Sequence, residues 1–368
     1  MELELSEDQG LFLDTTRKLL TAEVPIPAVR ALESDPAGFT PTYWRRGAEL
    51  GWTSLLVPEV DGGGSFSENG LLDLVLVAEE MGKLVAPGPL VPVNLVAVAV
   101  AAAGTPQQKA AVLPGLLAGE AAAAWTGPKP VAMEIRGDSL ELTGTAAPVE
   151  AGAQAEHLLV VARSDAGLTH VLVPAGTSGL TVTPLGALDL VRRFAEVRFD
   201  AVTLPSAAIV GEVGEAGDVV ERLVQIAAVL QCAETCGAID RVFDMTLEYL
   251  GDRYSFGRPL SSYQALKHRI ADQKMWLEAC HGITTAAVRA VAAGSPDAAE
   301  LVSAAKAWVG PHATDLVQDC VQLHGGIGVT WEHDLHLYLR RITVNRATYG
   351  TPEEHTDRIA TQLLGAAS

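Results

Sequence analysis

The spacing of apolar residues changes twice along this chain, and each change marks a change in secondary structure. Residues 1 to 122 repeat apolar side chains at helical spacing, as in LLDLVLVAEEMGKL (71–84). Residues 123 to 212 contain short β-branched runs such as HLLVVA and LTVTPL, separated by Gly, Asp or Pro. From residue 213 the helical spacing returns in long segments. This order predicts an N-terminal helical domain (1–122), a β domain built as an antiparallel sheet or barrel (123–212), and a C-terminal helical bundle (213–368).

The composition agrees with a helix-rich globular protein and narrows its partners. Hydrophobic residues make up 48% of the chain but aromatic residues only 5%, which is typical of packed helices. The net charge of −19 disfavours nucleic acid and anionic lipid as partners. The apolar run at 90–104 is too short to span a bilayer, so we expect a buried helix and no membrane span. The N-terminal residues do not resemble a secretory signal, which indicates a cytoplasmic location.

The cysteines and the C-terminal histidines do not form a metal-binding pattern. Buried free thiols are the expected state of the cysteines in a cytoplasmic protein, and the histidines lack a carboxylate or cysteine cluster at ligand spacing. We therefore predict no metal and assign ordinary polar and capping roles to the histidines. The residues concerned are Cys232, Cys236, Cys280, Cys320, His324, His333 and His336.

Two glycine-containing segments follow long predicted helices and suggest a ligand site. In QLHGGIG (322–328) the paired glycines either end a helix or let the backbone approach a phosphate while Gln322 hydrogen-bonds to it. The segment is not GxGxxG and follows no strand, which excludes a Rossmann site. In RYSFGRPLSSYQ (253–264), Arg253 follows a predicted helix. Either it is simply a cation that the dipole favours at a helix end, or it pairs with a pyrophosphate.

Together the two segments resemble motifs of the acyl-CoA dehydrogenases, R-x-x-F-G-x-x-[IL]-x-x-x-Q and Q-x-x-G-G-x-G. The resemblance covers nearly the whole chain and implies that family's fold: a helical domain, a β domain and a four-helix bundle. It also implies an oligomer, usually a tetramer, with FAD at a subunit interface. The positions that match FAD contacts, mostly to the flavin of a neighbouring subunit, are Arg253, Ser255, Phe256, Gln264, Gln322, Gly325, Gly326 and Thr351.

The activity implied by the resemblance is α,β-dehydrogenation of an acyl-CoA thioester. A glutamate removes the α-proton, the β-hydrogen leaves as hydride to the flavin, and the electrons pass to an electron-transfer flavoprotein. The protein supplies position, a base and hydrogen bonds, and the flavin supplies the redox chemistry.

The usual catalytic base is missing from this sequence. Tyr349 stands where many members carry the glutamate of Y-E-G-T, and a phenol with a pKa of about 10 is a poor proton acceptor. Ala227 stands at the alternative base position on the first bundle helix. Replacement candidates are Glu221, Glu353, Glu354 and Glu234, of which Glu234 lies nearest the expected helix face, where a salt bridge inside the bundle is an equal alternative.

The segments that bind a chain's own flavin in this family are also altered. In place of T-E-P-x-x-G-S-D the chain has Thr126, Gly127 and Pro128 without the G-S-D, and Pro148 replaces the tryptophan that packs on the flavin. The positions that match contacts to a neighbouring subunit's FAD keep the family residues. The positions that would bind the chain's own flavin and supply its base do not. This asymmetry resembles the heterotetrameric acyl-CoA dehydrogenases of bacterial sterol side-chain degradation. It predicts a subunit that lends half of an FAD site to a catalytic partner.

Two alternatives stay open from the sequence. One is a self-sufficient dehydrogenase, as a homo-oligomer, with a relocated glutamate base. The other is a non-catalytic scaffold or binding protein with the same fold, against which the retention of both Arg253 and Gln322 argues.

Overall fold

The first third of the chain is a layer of six helices. This description rests on a computed structural model that describes residues 5–67 and 69–366; the remaining positions of the predicted domains lie outside the described residues. Ser6 caps the first helix by accepting a hydrogen bond from the Gln9 N–H, as its sequence predicts. The helices are α1 (Glu7–Glu23), α2 (Ile26–Ala31), α3 (Pro41–Glu49), α4 (Gly70–Lys83), α5 (Leu90–Ala103) and α6 (Pro106–Leu117).

An eight-stranded sheet follows the helical layer. Its order is β6-β7-β3-β2-β4-β5-β8, with β1 paired to β4. Apolar side chains alternate along β7, so that one face of the sheet builds a core of its own. The strands are β1 (Ala123–Trp125), β2 (Val131–Arg136), β3 (Ser139–Glu150), β4 (His157–Ser164), β5 (Gly167–Pro174), β6 (Leu180–Leu185), β7 (Phe194–Pro205) and β8 (Ile209–Val210).

The prediction of a wholly antiparallel sheet is wrong at β4. Both β1 and β2 run parallel to β4, with Ala124 opposite Leu158 and Val131 opposite Ala162, while the other pairings of the sheet are antiparallel. The sheet is therefore mixed, and its order runs from β6 to β8 without closing into a barrel among the described residues. Parallel pairs need a crossover connection, which local turn residues do not reveal.

The C-terminal region is built from long helices with one small hairpin between the first two. Helix α7 is the longest of the described helices. The end of α9 continues directly into a 3₁₀ turn at Gly325–Val329, which holds the glycines of the sequence motif. The elements are α7 (Gly217–Asp252), β9 (Tyr254–Ser255), β10 (Arg258–Pro259), α8 (Gln264–Ala293), α9 (Ala298–His324), α10 (Leu335–Ala347) and α11 (Pro352–Ala366). The boundaries of three separately folding domains stay predictions.

Helix α7 joins the two helical regions into one core. At its closest approach to α4, a side chain on Gly82 or Gly237 would collide with the backbone of the opposite helix, so both positions require glycine. Among the described helices, α7 alone is long and apolar enough to cross a membrane by length and composition, yet 89% of its most apolar window is buried inside this fold. Helix α5 is shorter and buried, as predicted.

Candidate functional site

A cavity of about 430 Å³ lies between the β sheet and the C-terminal helices. Its walls come from β1 and the loop after it, the second half of β3, the first turns of α7, and the segment that joins α10 to α11. Three of these segments, the loop after β1, the second half of β3 and the segment between α10 and α11, contain departures from the family pattern. The lining residues that matter below are Trp125, Thr126, Pro148, Glu150, Val220, Val224 and Tyr349.

Tyr349, at the predicted base position, forms part of the cavity wall. Its backbone is left-handed (φ 54°), and its ring stacks on Trp125 with 6.2 Å between centroids and 9° between planes. Burial, together with the neighbouring Glu150 carboxylate, raises the pKa of Tyr349 well above its usual value. A phenol held in its neutral form does not accept a proton, so Tyr349 is not the missing base.

The other predicted base position, Ala227, offers no ionisable group. Ala227 and its neighbour Ala228 are fully buried in α7. One and two turns earlier on the same helix, Val224 and Val220 line the cavity. Helix α7 also contributes Glu221 to the cavity wall, where Glu221 pairs with Arg358.

Glu234 belongs to a buried ion network that ties the sheet to α7 and α10. One carboxylate oxygen accepts from Arg341 at 2.6 Å, and the other accepts from Arg192 at 2.5 Å and from Asn345 at 2.8 Å. Both oxygens are thus occupied by donors. The geometry favours the salt-bridge alternative for Glu234 over the catalytic one.

The network contains three carboxylates and two guanidinium groups. Arg341 also pairs with Asp189 at 2.6 Å, and Arg192 also pairs with Glu150 at 2.5 Å. Burial alone would raise the pKa of Glu234, but Arg192 and Arg341 outweigh it and hold that pKa below its usual value. At Glu150 burial prevails over Arg192, and the pKa is raised. Glu150, at the end of the network, is therefore the member that most readily carries a proton.

The remaining candidate bases have ordinary surface roles. Glu221 pairs with Arg358, and Glu353 lies 3.4 Å from Arg346. Glu354 accepts from the Thr351 N–H while its own N–H donates to the Thr351 hydroxyl, which caps α11. These carboxylates begin or brace the last helix.

A buried lysine on α9 holds the segment that carries Tyr349 by hydrogen bonds to its backbone. Lys306 Nζ donates to the carbonyl oxygens of Asn345 at 2.6 Å and Thr348 at 2.8 Å, and to the Gln231 side chain at 3.2 Å. Burial lowers the pKa of Lys306 to about 8. Lys306 therefore fixes the path of the chain that closes one side of the cavity.

On the opposite side of the C-terminal region, the 253–264 segment forms a hairpin that points outward. Phe256 and Gly257 occupy its two-residue turn with φ values of 50° and 78°, the conformation that a tight hairpin requires. The Phe256 ring is 97% exposed. The Arg253 side chain is exposed and makes no hydrogen bond or ion pair with any described residue. An exposed ring and a free cation on a rigid turn suit a ligand outside this chain.

The fold places the turn after α9 beside this hairpin. Tyr249, one turn before the end of α7, donates to the His324 carbonyl at 3.0 Å and stacks on its ring. Gln322, Gly325 and Gly326 are exposed there, and a Cβ at either glycine would meet nothing within 4 Å. The structure thus brings the two sequence motifs to the same end of the bundle.

These outward residues fit a dinucleotide better than the cavity does. The free guanidinium of Arg253 and the exposed amide of Gln322 are donors suited to pyrophosphate. The Gly325 N–H already donates to the Gln322 carbonyl, so Gly325 and Gly326 contribute room for close approach of a ligand. In the cavity wall, the Thr126 hydroxyl already accepts from the Val161 N–H, and Pro148 has no N–H to donate. Contacts of the predicted positions with FAD stay predictions.

All four cysteines are free and buried, as predicted. No group of three metal-ligating side chains occurs among the described residues, and the absence of a metal stays a prediction. His333 Nδ1 accepts from the Leu335 N–H at the start of α10, and His324 Nδ1 lies 2.8 Å from the Cys320 carbonyl.

Two groups of site residues were not identified from the sequence. They are the partners of Glu234, and the polar residues Glu150 and Trp125 of the cavity wall. Arg192 and Arg341 each belong to an arginine pair inside an otherwise apolar segment, which was the available signal for buried charge. Glu150 and Trp125 carried no such signal, because an acid or an aromatic residue at a strand end is ordinary.

Two family models match the chain. Residues 6–120 match the acyl-CoA dehydrogenase N-terminal domain, and residues 217–364 match the acyl-CoA dehydrogenase C-terminal domain. The acyl-CoA dehydrogenase IpdE2 of Mycobacterium tuberculosis is 30% identical over 361 residues, which cover 97% of this chain and 98% of that protein.

Solved structures share the fold along the whole chain. A chain of the ChsE4-ChsE5 complex from Mycobacterium tuberculosis superposes with a TM-score of 0.89 at 26% identity, covering 99% of both chains. Butyryl-CoA dehydrogenase from Megasphaera elsdenii also gives a TM-score of 0.89, at 23% identity, over 99% of this chain and 100% of that chain. The second likeness shows the fold, including the helix, sheet and helix order that the sequence predicts.

Proposed function

Because this chain belongs to the acyl-CoA dehydrogenase family of FAD-dependent oxidoreductases, we propose that it is the flavin-lending subunit of a hetero-oligomeric member. In this arrangement Arg253, Gln322 and the Gly325–Gly326 backbone hold the pyrophosphate and adenine side of an FAD whose ring lies in a partner subunit. The partner supplies the base and the pocket for the acyl-CoA thioester. FAD, when bound, accepts the hydride in the oxidation of the CH–CH bond.

One observation carries the proposal: this chain has free donors on its outer face and no free base in its cavity. The side chains of Arg253 and Gln322 are exposed and make no hydrogen bond with the described residues. Tyr349 and Ala227 stand at the two base positions, and Glu234 is held between Arg192 and Arg341. A single chain type of this kind does not complete a dehydrogenase site with itself.

Exposed apolar side chains support an interface on the same side as the free donors. Phe256 is 97% exposed, and Ile327, Val329 and Trp331 in the turn after α9 are 49%, 77% and 49% exposed. A concentration of large apolar side chains around a ligand-facing turn is typical of a surface covered in an assembly. The ChsE4-ChsE5 complex, which joins two differently named proteins, is a precedent among the similar folds.

Further features of the proposal follow from the family. Acyl-CoA is the expected substrate of the assembled enzyme, an electron-transfer flavoprotein its expected acceptor, and the cytoplasm its expected location. The identity of the acyl group depends mainly on the partner, since this chain's own cavity lacks the base that would act on it.

Purification of this chain without a partner tests the proposal. We expect little bound flavin and no oxidation of butyryl-CoA with an artificial electron acceptor. Affinity isolation of the tagged chain from its native cells should recover a second acyl-CoA dehydrogenase-like chain, flavin absorbance and activity together. Full flavin content and turnover by the chain alone would contradict the proposal.

A self-sufficient dehydrogenase is the second candidate, and Glu150 is the residue that favours it. Its carboxylate lies beside Tyr349 in the cavity wall, within reach of the base position. A base must begin the reaction deprotonated, whereas burial raises the pKa of Glu150 and favours its protonated form. Loss of turnover by a flavin-loaded chain on Glu150→Gln substitution, in the absence of any partner, would establish this candidate instead.

A further inference from the structure

A second cavity, of about 710 Å³, lies between the N-terminal helices and the sheet. We call it the helix–sheet cleft; Phe39 and Trp44 line it on the helical side, and Gln154 and Phe194 line it on the sheet side. Of its described lining residues, only Phe194 also lines the cavity beside the C-terminal helices. Clefts between structural layers are common places for small-molecule sites, and a volume of this size lies within their usual range.

Arg193, at the start of the last long strand, fixes one wall of the helix–sheet cleft. Its guanidinium donates to carbonyl oxygens of the turn between α2 and α3 at 2.7–3.0 Å. It also donates to the Leu190 carbonyl at 2.7 Å. These bonds tie the turn to the sheet, so the cleft is formed before any ligand arrives.

The rim of the helix–sheet cleft is acidic. Four carboxylates and one guanidinium line the cleft, which leaves three uncompensated negative charges. Glu33, Glu120 and Glu156 are exposed and make no hydrogen bond or ion pair with the described residues. A rim of this sign attracts cations and repels pyrophosphate-bearing molecules such as FAD and acyl-CoA.

Two polar groups of the cleft lack hydrogen-bond partners. Trp44 is 1% exposed, and its Nε1–H has no acceptor among the described residues. A Cβ on Gly88 would meet the opposite edge of the indole, at Cε3 and Cζ3, so the Nε1 edge is turned away from Gly88 and toward the cleft. Gln154 donates from Nε2 to the Pro36 carbonyl at 2.7 Å, while its Oε1 has no donor. Because buried polar groups are almost always paired, a missing acceptor and a missing donor in one cleft indicate a bound molecule.

Aromatic rings form the apolar part of the helix–sheet cleft. The Phe39 and Trp44 rings lie 5.9 Å apart between centroids, with 58° between their planes, and so form a corner. Phe194 and several alanine and proline residues complete the apolar lining. Such a corner accommodates the apolar body of a ligand, and the faces of aromatic rings also favour a nearby cation.

We propose that the helix–sheet cleft binds a small organic cation with a primary ammonium group, a carbonyl oxygen and an apolar body. The ammonium group lies at the acidic rim and supplies the donor that Gln154 Oε1 lacks. The carbonyl oxygen accepts from Trp44 Nε1, and the apolar body packs against the Phe39 ring. The proposal does not depend on the flavin-lending role, because neither the outward turns nor the catalytic cavity supplies these groups.

Three probes of equal chain length test the parts of this ligand. N-(2-Aminoethyl)benzamide carries an ammonium group, a carbonyl group and a ring. N-(2-Hydroxyethyl)benzamide lacks the charge, and 4-phenylbutylamine lacks the carbonyl group. Equilibrium dialysis against the purified full-length chain at low ionic strength measures their affinities. We expect the aminoethyl probe to bind about tenfold or more tightly than the hydroxyethyl probe, the value of a hydrogen bond to a charged group.

Substitutions at the rim separate a built site from the general attraction of an acidic chain. Combined Glu33→Gln and Glu120→Gln should lower the preference for the aminoethyl over the hydroxyethyl probe about three- to tenfold, because each exposed carboxylate contributes modestly. The control combines Glu212→Gln and Glu300→Gln, which change the net charge equally at exposed positions outside the cleft and should leave the preference unchanged.

Trp44→Phe tests the second contact, because phenylalanine keeps an aromatic ring and removes the N–H. It should lower the preference for the aminoethyl probe over 4-phenylbutylamine about three- to tenfold, the value of one hydrogen bond. Circular dichroism of each variant checks folding. The rim variants change exposed side chains and decide the test even if Trp44→Phe does not fold.

Three results would overturn the proposal. The first is absence of binding, or equal binding of the charged and neutral benzamides by the wild-type chain. The second is a preference that the control pair lowers as much as the rim pair. The third is binding by the isolated chain that is lost in the native assembly, which would assign the cleft to a segment of a partner protein. The flavin-lending proposal is tested separately by flavin content and is unaffected by these results.

Discussion

Replacement of Glu234 by glutamine separates a structural role from a catalytic one. Both carboxylate oxygens accept hydrogen bonds from Arg341, Arg192 and Asn345 at 2.5–2.8 Å. An amide keeps one acceptor and turns an NH₂ group toward a donor at the other position. Removal of one partner from a buried ion pair costs about 3–5 kcal/mol. Because Glu150 can release its proton and restore charge balance, we expect about 3 kcal/mol, at the lower end of that range.

The matched control lies on the same helix. Glu221→Gln makes the same chemical change on α7, but its partner Arg358 and Glu221 itself are 36% and 40% exposed. Exposed pairs contribute about 0–1 kcal/mol, so this variant should unfold almost like the wild type. Urea unfolding followed by far-ultraviolet circular dichroism measures both variants.

The outcome discriminates between the two roles of Glu234. A lowered urea midpoint for Glu234→Gln, with turnover of the assembled enzyme retained below that midpoint, supports the buried network. A variant as stable as Glu221→Gln would refute the energetic reasoning. Unchanged stability with abolished turnover would make Glu234 the base.

Three further predictions concern the outward face, a helix crossing and a buried histidine. In the assembled complex, Arg253→Ala should weaken FAD retention about tenfold or more, because one charge-assisted hydrogen bond is lost. Arg289→Ala, at another exposed arginine, should leave FAD retention unchanged. Flavin release during dialysis measures both variants. Gly237→Ala should lower the urea midpoint because its methyl group meets the α4 backbone, whereas Gly251→Ala, in open space on the same helix, should leave it unchanged or raise it. Burial lowers the pKa of His170 from 6.5 to about 4. Between these values the unfolded chain binds a proton that the folded chain does not, so stability should fall as pH falls, by about 2 kcal/mol at about pH 5, and His170→Asn should reduce that loss in urea unfolding.

Helices and most strands could be predicted from this sequence because their signals are local. The 3.6-residue period of α4 and α7 and the alternation along β7 each lie within one segment. The parallel pairing of β1 and β2 with β4 could not be predicted from such local patterns, because it joins residues about 30 positions apart in sequence. Strands as short as β1 also carry too few residues for a period to be recognised.

The candidate site was predictable where residues act through the backbone and not where they act through distant partners. The turn at Phe256 and Gly257 and the helix end at Gly325 follow from glycine and helix-capping chemistry. The surroundings of Glu234 depend on Arg192 and Arg341, each 42 or more positions away in sequence. No local pattern shows which of two roles such a carboxylate has, so the sequence left both open.

The ratio of FAD to subunits in the native assembly tests the account most directly. The complex recovered with the tagged chain can be separated by mass spectrometry into its chain types, and its flavin measured by absorbance after denaturation. We expect two chain types, with one FAD for each pair made of this chain and its partner. This chain in isolation should retain no FAD. One FAD for every copy of this chain, in an assembly that contains no other subunit and oxidises acyl-CoA, would contradict it.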